Sequence, residues 1–283
     1  MVSPLLADLF ESHRGQLLSV AYRLTGSVGD AEEAVQESWL RMAGVHQSEI
    51  DDLRAWLVGA VARICLDHLR GAAVRRETYA GRWLPEPVVT SPATRTAAEF
   101  AALAADPRHR LAALVAMDAL APAERLALVL RDGTLPDAEI AALLEVDVAE
   151  VGALAERAAR TLGRVPAPVG ADEHAAVVRA FLAALTAGDA NALVARIHPE
   201  PACALAPPAL AAAALSQWHD YLRDAVLELS EADVNGRLGL VLTDPNSPFG
   251  RPVRVVGFTV HEERIWGVYD FADMHRMAGA RLR

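Results

Sequence analysis

The chain predicts an α+β protein in which two all-α units, the second holding a helix-turn-helix, precede a unit that opens with helices and closes with an antiparallel sheet. Three observations carry this reading. Apolar residues recur at helical spacing through most of the first 162 positions; a Pro/Gly-rich stretch at 163–170 interrupts them; and period-two runs follow at 238–242, 253–260 and 264–269. At 283 residues the chain has material for about two cores.

The first helix covers 5–25, with Leu6, Leu9, Phe10, Leu17, Ala21 and Leu24 on its apolar side and Gly26 as C-cap. A second, acidic amphipathic helix covers 30–42: Ala31, Ala34, Val35, Ser38, Trp39 and Met42 share one face, Glu33 and Glu37 another. After a polar break at 43–52, a third helix covers 53–70. Leu53, Trp56, Leu57, Ala60, Val61, Ile64 and Leu69 form its buried stripe, and Arg63, Asp67 and Arg70 recur on the opposite side.

Beyond Arg75 and Arg76 the chain reaches Trp83-Leu-Pro-Glu-Pro87, an extended stop, because proline has no N–H and restricts the residue before it. Positions 88–107 read as a linker with room for a short helix. From residue 109 the apolar spacing resumes, Pro122 suits a helical first turn, and two helices, 136–144 and 148–162 with Asp147 as N-cap, form a helix-turn-helix. After the 163–170 linker, amphipathic helices cover 172–187 and 190–197. Glu262-Glu263 turns the last two strands as a hairpin.

Composition limits the function. The net charge of −10 gives no overall electrostatic reason to bind nucleic acid alone, and all 27 basic residues are arginines. No apolar run approaches the roughly 18 residues needed to span a bilayer, and the N-terminus lacks the pattern of a signal peptide. Cys65 and Cys203 read as reduced thiols of a cytoplasmic protein, with no metal-ligand spacing and no cofactor motif.

The pair of helices from Asp30-Ala-Glu-Glu through Arg54-Ala-Trp-Leu to Arg63-Ile-Cys-Leu-Asp-His-Leu-Arg70 resembles domain two of the extracytoplasmic-function (ECF) sigma factors. The resemblance implies that Asp30, Glu33, Gln36 and Glu37 contact the RNA polymerase core, and that the loop at 44–52 accepts a flipped promoter base. It also implies that Arg54, Trp56, Arg63, Arg70, Arg75 and Arg76 face promoter DNA, through stacking and phosphate contacts. Trp83-Leu-Pro-Glu-Pro87 resembles the hallmark of the J-type group, whose members carry a C-terminal SnoaL-like (NTF2-like) extension. The implied division is domain two at 1–78, a linker at 79–108, domain four at 109–164, a second linker at 165–172 and a SnoaL-like cone at 173–283.

Two departures stand against the family pattern. The recognition helix has Gly152-Ala153 where relatives tend to have Arg-Gln, and Glu150 and Glu156 leave Arg157 and Arg160 as its basic residues, so weak promoter contact is expected. The extension also lacks the segments associated with control in relatives: Ala202-Cys-Ala-Leu-Ala-Pro-Pro208 and Tyr269-Asp-Phe-Ala-Asp-Met-His275 stand in their places.

The leading expectation is an ECF sigma factor regulated by its fused SnoaL-like domain. The alternative is a sigma-shaped protein turned to a ligand-binding regulator, or to a cofactor-free acid/base enzyme of the cyclase, isomerase or hydrolase kind. In the alternative a small-molecule ligand occupies the cone, and His219, Asp220, His261 and Asp270 are the catalytic candidates, chosen from a wider polar set with His198, Trp218, Tyr221, Asp233 and Tyr269.

Overall fold

The computed structural model describes residues 4–45, 50–76, 84–90, 98–132, 134–200, 227–246 and 252–272. They form two compact units, one from Met1–Glu86 with Ala113–Val165 and the other from Pro87–Ala112 with Pro166–Arg283.

The chain opens with α1 (Pro4–Thr25), α2 (Val28–Ala43) and α3 (Leu53–Arg76), which pack on one another. Gly26 ends α1 at φ +72°, its N–H donating to Tyr22 O at 2.8 Å, as expected of a C-cap glycine. Leu17, Leu18, Tyr22, Ala34, Val35, Leu57 and Val61 are fully buried in this bundle. Leu9 departs from the predicted stripe at 42% exposure. Cys65 sits inside, and burial pushes its thiol up to about 12, which leaves it an inert core residue.

The stretch read as a linker contains β1 (Val89–Thr90), α4 (Ala98–Ala105) and a 3-10 turn at Pro107–His109. Then follow α5 (Leu111–Asp118), α6 (Pro122–Arg131), α7 (Asp137–Leu144) and α8 (Val148–Leu162). Pro122 stands in the first turn of α6 as predicted. Asp147 holds the extended N-cap backbone of α8, but its side chain makes no capping bond. The turn between α7 and α8 places Glu145 in the left-handed region at φ 59°, a position that glycine adopts at lower cost.

Helices from the two sigma-like stretches share one core in the first unit, with α6 against α1 and α3. The buried Arg125 guanidinium is the joint. Its Nε–H donates to Arg23 O at 3.0 Å, in the last turn of α1 where carbonyls have no intrahelical partner, and Nη1 lies 3.8 Å from Asp118. Arg23 reaches in turn to Asp132 at 3.2 Å.

In the second unit α9 (Ala171–Thr186) and α10 (Ala190–Arg196) lie against a five-stranded antiparallel sheet in the order β1-β2-β3-β4-β5, with β2 (Glu228–Val234), β3 (Arg237–Thr243), β4 (Pro252–His261) and β5 (Arg264–Phe271). Val178, Phe181 and Leu185 of α9 meet Leu240, Leu242, Val256, Phe258, Val260 and Ile265, and the Phe181 and Phe258 rings touch edge to face at 5.9 Å. The sequence reading missed β1 and β2. Four of the seven β2 side chains in a row are exposed, so its alternation is faint.

The β2–β3 hairpin turns on Asn235 and Gly236, at φ 50° and 75°, the residue pair that a tight two-residue hairpin prefers. Asn235 is 97% buried and holds the connector. It exchanges hydrogen bonds with Val88, N–H to Val88 O at 2.8 Å and Oδ1 from Val88 N at 3.0 Å, and its Nδ2 donates to His109 O at 2.7 Å. A Cβ at Gly236 would collide with Ala104 O.

Candidate polymerase and nucleic-acid interface

Two caps fix the acidic helix α2. Ser27 accepts from Asp30 N at 3.1 Å, and the buried Glu86 carboxylate accepts from Val28 N at 2.7 Å and Gly29 N at 3.3 Å. The free N–H groups and positive end of a helix dipole make this a favourable place for a carboxylate. Glu86 is further tied by its own N–H to Gly26 O at 2.7 Å and by Tyr22 Oη donating to its carbonyl at 2.6 Å. The glutamate between the two prolines is thus a capping residue of α2, a role the sequence pattern did not disclose.

With its N-terminus held, α2 presents Glu33, Gln36 and Leu40 to solvent, with Asp30 half-buried. Glu37 is half-buried and pairs with Arg41 at 2.6 Å. Leu40 is 63% exposed among these polar groups. Beside it a groove between α1 and α2 is lined by Phe10, Arg14, Glu32, Gln36 and Trp39, the Phe10 and Trp39 rings 5.0 Å apart. Phe10 is buried as its place on the apolar side of the first helix predicts, whereas the sequence reading gave Leu40 no role.

On α3, Arg54, Arg63 and Arg70 are exposed and Trp56 is half-buried; Arg54 Nε donates to Gln16 Oε1 at 3.0 Å. The i, i+4, i+7 spacing of Arg63, Asp67 and Arg70 gives one solvent-facing row. The backbone at Arg75 and Arg76 continues α3, while their side chains, Trp83 and part of the 44–52 loop lie outside the described residues.

On α8, Val151, Leu154, Ala155 and Ala158 are buried, and Glu150, Ala153, Glu156, Arg157 and Arg160 face outward. Arg157 Nε lies 2.9 Å from Glu124 Oε1 of α6. One of the two basic residues of this helix is therefore already neutralised within the protein.

In the second unit, the two described members of the predicted acid/base set, His261 and Asp270, stand apart. His219 and Asp220 lie outside the described residues. His261 stands at the β4–β5 turn and Asp270 near the other end of β5, about 20 Å away along the strand at 3.3 Å per residue. Asp270 pairs with Arg254 at 3.2 Å, and Asp233 is exposed on β2. Tyr269 is buried with its hydroxyl 3.3 Å from Thr259 Oγ1, and burial pushes its phenol up to about 12. His198 and His261 are brought together, their ring centres 5.2 Å apart.

The same unit has a recess of about 420 Å³, open mouth included, whose lining contains Arg110, His174, Arg237 and Phe258 and no carboxylate. Arg110 Nη1 donates to Pro166 O at 3.2 Å, and its Nε is buried without a hydrogen-bond partner. His174 Nε2 donates to Phe258 O at 3.2 Å, leaving Nδ1 buried and unpartnered; burial first, and Arg237 in addition, lower its proton affinity.

Comparison with known proteins agrees with the helical architecture. The family description Sigma-70 region 2 matches residues 9–75. The ECF RNA polymerase sigma factor SigJ of Mycobacterium tuberculosis (strain ATCC 25618 / H37Rv) is 37% identical over 298 residues, covering 97% of this chain and 94% of that protein. The crystal structure of the Mycobacterium tuberculosis extracytoplasmic function sigma factor SigJ is similar with a TM-score of 0.74 and 35% identity, covering 98% of this chain and 100% of that one. Among the described residues no helix is long and apolar enough to cross a membrane. A likeness that runs nearly end to end, on a chain whose α2 and α3 expose one acidic and one arginine-bearing row, makes this protein a member of the ECF RNA polymerase sigma factors.

Proposed function

We propose that this sigma factor docks on the RNA polymerase core through the outward face of α2, with Asp30, Glu33, Gln36, Glu37 and Leu40 as the contact row. Arg54, Trp56, Arg63 and Arg70 of α3, with Arg75 and Arg76, then hold promoter DNA, and Arg157 and Arg160 of α8 add a weak contact. The observation that carries this reading is the α2 row itself, an exposed leucine within acidic groups on a helix fixed by Ser27 and Glu86. Run-off transcription with purified core polymerase tests it. Glu33→Arg with Leu40→Asp abolishes core binding while leaving the helical circular dichroism unchanged; retained core binding by that variant refutes the assignment.

The C-terminal part from 173 onward, as a SnoaL-like domain, regulates the sigma part through the connector. Asn235 supports this, since it bonds to Val88 and His109 near either end of the stretch joining the domain-two and domain-four segments. Asn235→Ala removes the two side-chain bonds, to Val88 N and His109 O, and raises promoter-dependent output, or the restraint is not regulatory. Core binding and transcripts that stay absent even after deletion of residues beyond 166 count against sigma activity itself.

A ligand-binding role for the same domain is favoured by the recess at Arg110, His174 and Arg237. Guanidinium groups without a lining carboxylate, beside a buried imidazole nitrogen without a partner, suit a small anionic head group. A thermal-shift series of carboxylates and inorganic phosphate tests it. Stabilisation that Arg237→Ala abolishes supports the role, and none with any of these anions rejects it.

A further inference from the structure

Where α10 gives way to the sheet, the chain at 197–198 runs alongside β5. Ile197 forms a parallel bridge with Ile265, and His198 N–H donates to Ile265 O at 2.9 Å. This fixes His198, 8% exposed, beside the β4–β5 turn that carries His261 and Glu262. His198 Nε2 lies 3.6 Å from one Glu262 carboxylate oxygen, and His261 Nε2 lies 3.8 Å from the other. One ligand atom from each of the three residues falls within 4.8 Å of both others.

We propose that His198, His261 and Glu262 form a binding site for a divalent transition-metal ion of the zinc class. Zinc bound tetrahedrally at about 2.0–2.1 Å from nitrogen and oxygen sets its ligands roughly 3.3 Å apart, so each histidine is within a few tenths of an ångström of that spacing from its own Glu262 oxygen, and a turn of the exposed Glu262 side chain brings one oxygen toward both rings. Two imidazoles and one carboxylate match the donor preference of zinc, and three protein ligands leave one position for water. Calcium and magnesium prefer oxygen donors and are disfavoured.

The surroundings agree with that use. His198 Nδ1 is anchored on the Glu200 backbone, accepting from its N–H at 3.0 Å and lying 3.1 Å from its carbonyl oxygen; a metal at Nε2 displaces the ring proton to Nδ1, where Glu200 O accepts it. A second ring nitrogen anchored on a carbonyl is the usual support of a metal-bound histidine. The turn also carries a backbone cost. Glu262 and Glu263 both adopt left-handed φ, 48° and 58°, where the β2–β3 hairpin uses Asn235-Gly236. A left-handed glutamate costs about 1–2 kcal/mol, a penalty found at sites where a side chain has a task. In the sequence the triad is concealed, because its ligands come from two stretches brought together only by the sheet.

Zinc titration of the full chain, stripped with chelator and followed by isothermal calorimetry, tests the site. One equivalent binds; His198→Ala, His261→Ala and Glu262→Gln each weaken binding at least about tenfold, and Glu263→Gln leaves it unchanged. Circular dichroism separates lost binding from lost folding. X-ray absorption of the zinc-loaded unaltered chain then reports two histidine nitrogens in the coordination shell. Binding weaker than about 100 µM, a shell without two histidines, or folded variants that bind as the parent does overturns the proposal.

Discussion

Two helices of this sigma factor carry arginines toward solvent, and they differ in what surrounds those arginines. On α3, Arg63 and Arg70 stand in an exposed row and form no ion pair among the described residues. On α8, Arg157 is engaged by Glu124 at 2.9 Å, with Glu150 and Glu156 on the same helix. The lesson is that a count of basic residues overstates the charge available to phosphates. An arginine already paired must break that pair, or share it, before it neutralises a phosphate, so α3 has the more available positive charge of the two.

The largest effect belongs to an arginine at the opposite extreme, the buried Arg125. Arg125→Ala strips the last turn of α1 of a buried donor and removes a cation 3.8 Å from Asp118, lowering the stability of the first unit by about 3 kcal/mol in urea unfolding. A loss under about 1 kcal/mol would place Arg125 with the surface arginines. Next is the α3 row: Arg63→Ala with Arg70→Ala lowers the slope of log affinity against log salt for promoter binding by the polymerase complex by about two, and transcript yield at least about tenfold. An unchanged slope would remove the contrast between the helices.

The engaged arginine makes the converse case. Glu124→Ala releases Arg157, and the same salt slope steepens by about one at most. If it does not move, α8 lies away from DNA. The smallest change concerns packing: Gly152→Ala in α8 brings a Cβ no closer than 3.9 Å to Arg131, an ordinary contact, and raises the melting free energy by about 0.5–1 kcal/mol. Stabilisation with unchanged promoter affinity would show that this glycine serves no reading of bases.

Much of the helical part was legible in the sequence. Its apolar periodicity is long and regular, so the spans of α1, α2 and α8, the first-turn Pro122 and the solvent row of α3 are found where the residues put them. The misses have common physical causes. Glu86 reads as a charge in an extended stop, and only tertiary structure brings its carboxylate to the N–H groups of α2. Asn235 drew no reading of its own, and its grip on Val88 and His109 depends on partners far along the chain. The strand β2, with its charged and exposed face, lacks the alternation by which β3, β4 and β5 declare themselves. The same holds for the triad at His198, whose members are adjacent in space alone.

The bond from Val88 N to Asn235 Oδ1 joins residues 147 positions apart, and that interval is also a time. A ribosome adding about 5–20 residues per second takes roughly 7–30 s to pass from one to the other. Throughout that interval the acidic row of α2 and the arginine row of α3 have already been made, while the turn that clasps the connector does not yet exist. A newborn molecule is thus without this restraint, and only a finished one carries it. Polymerase present at the site of synthesis meets the first form before the second.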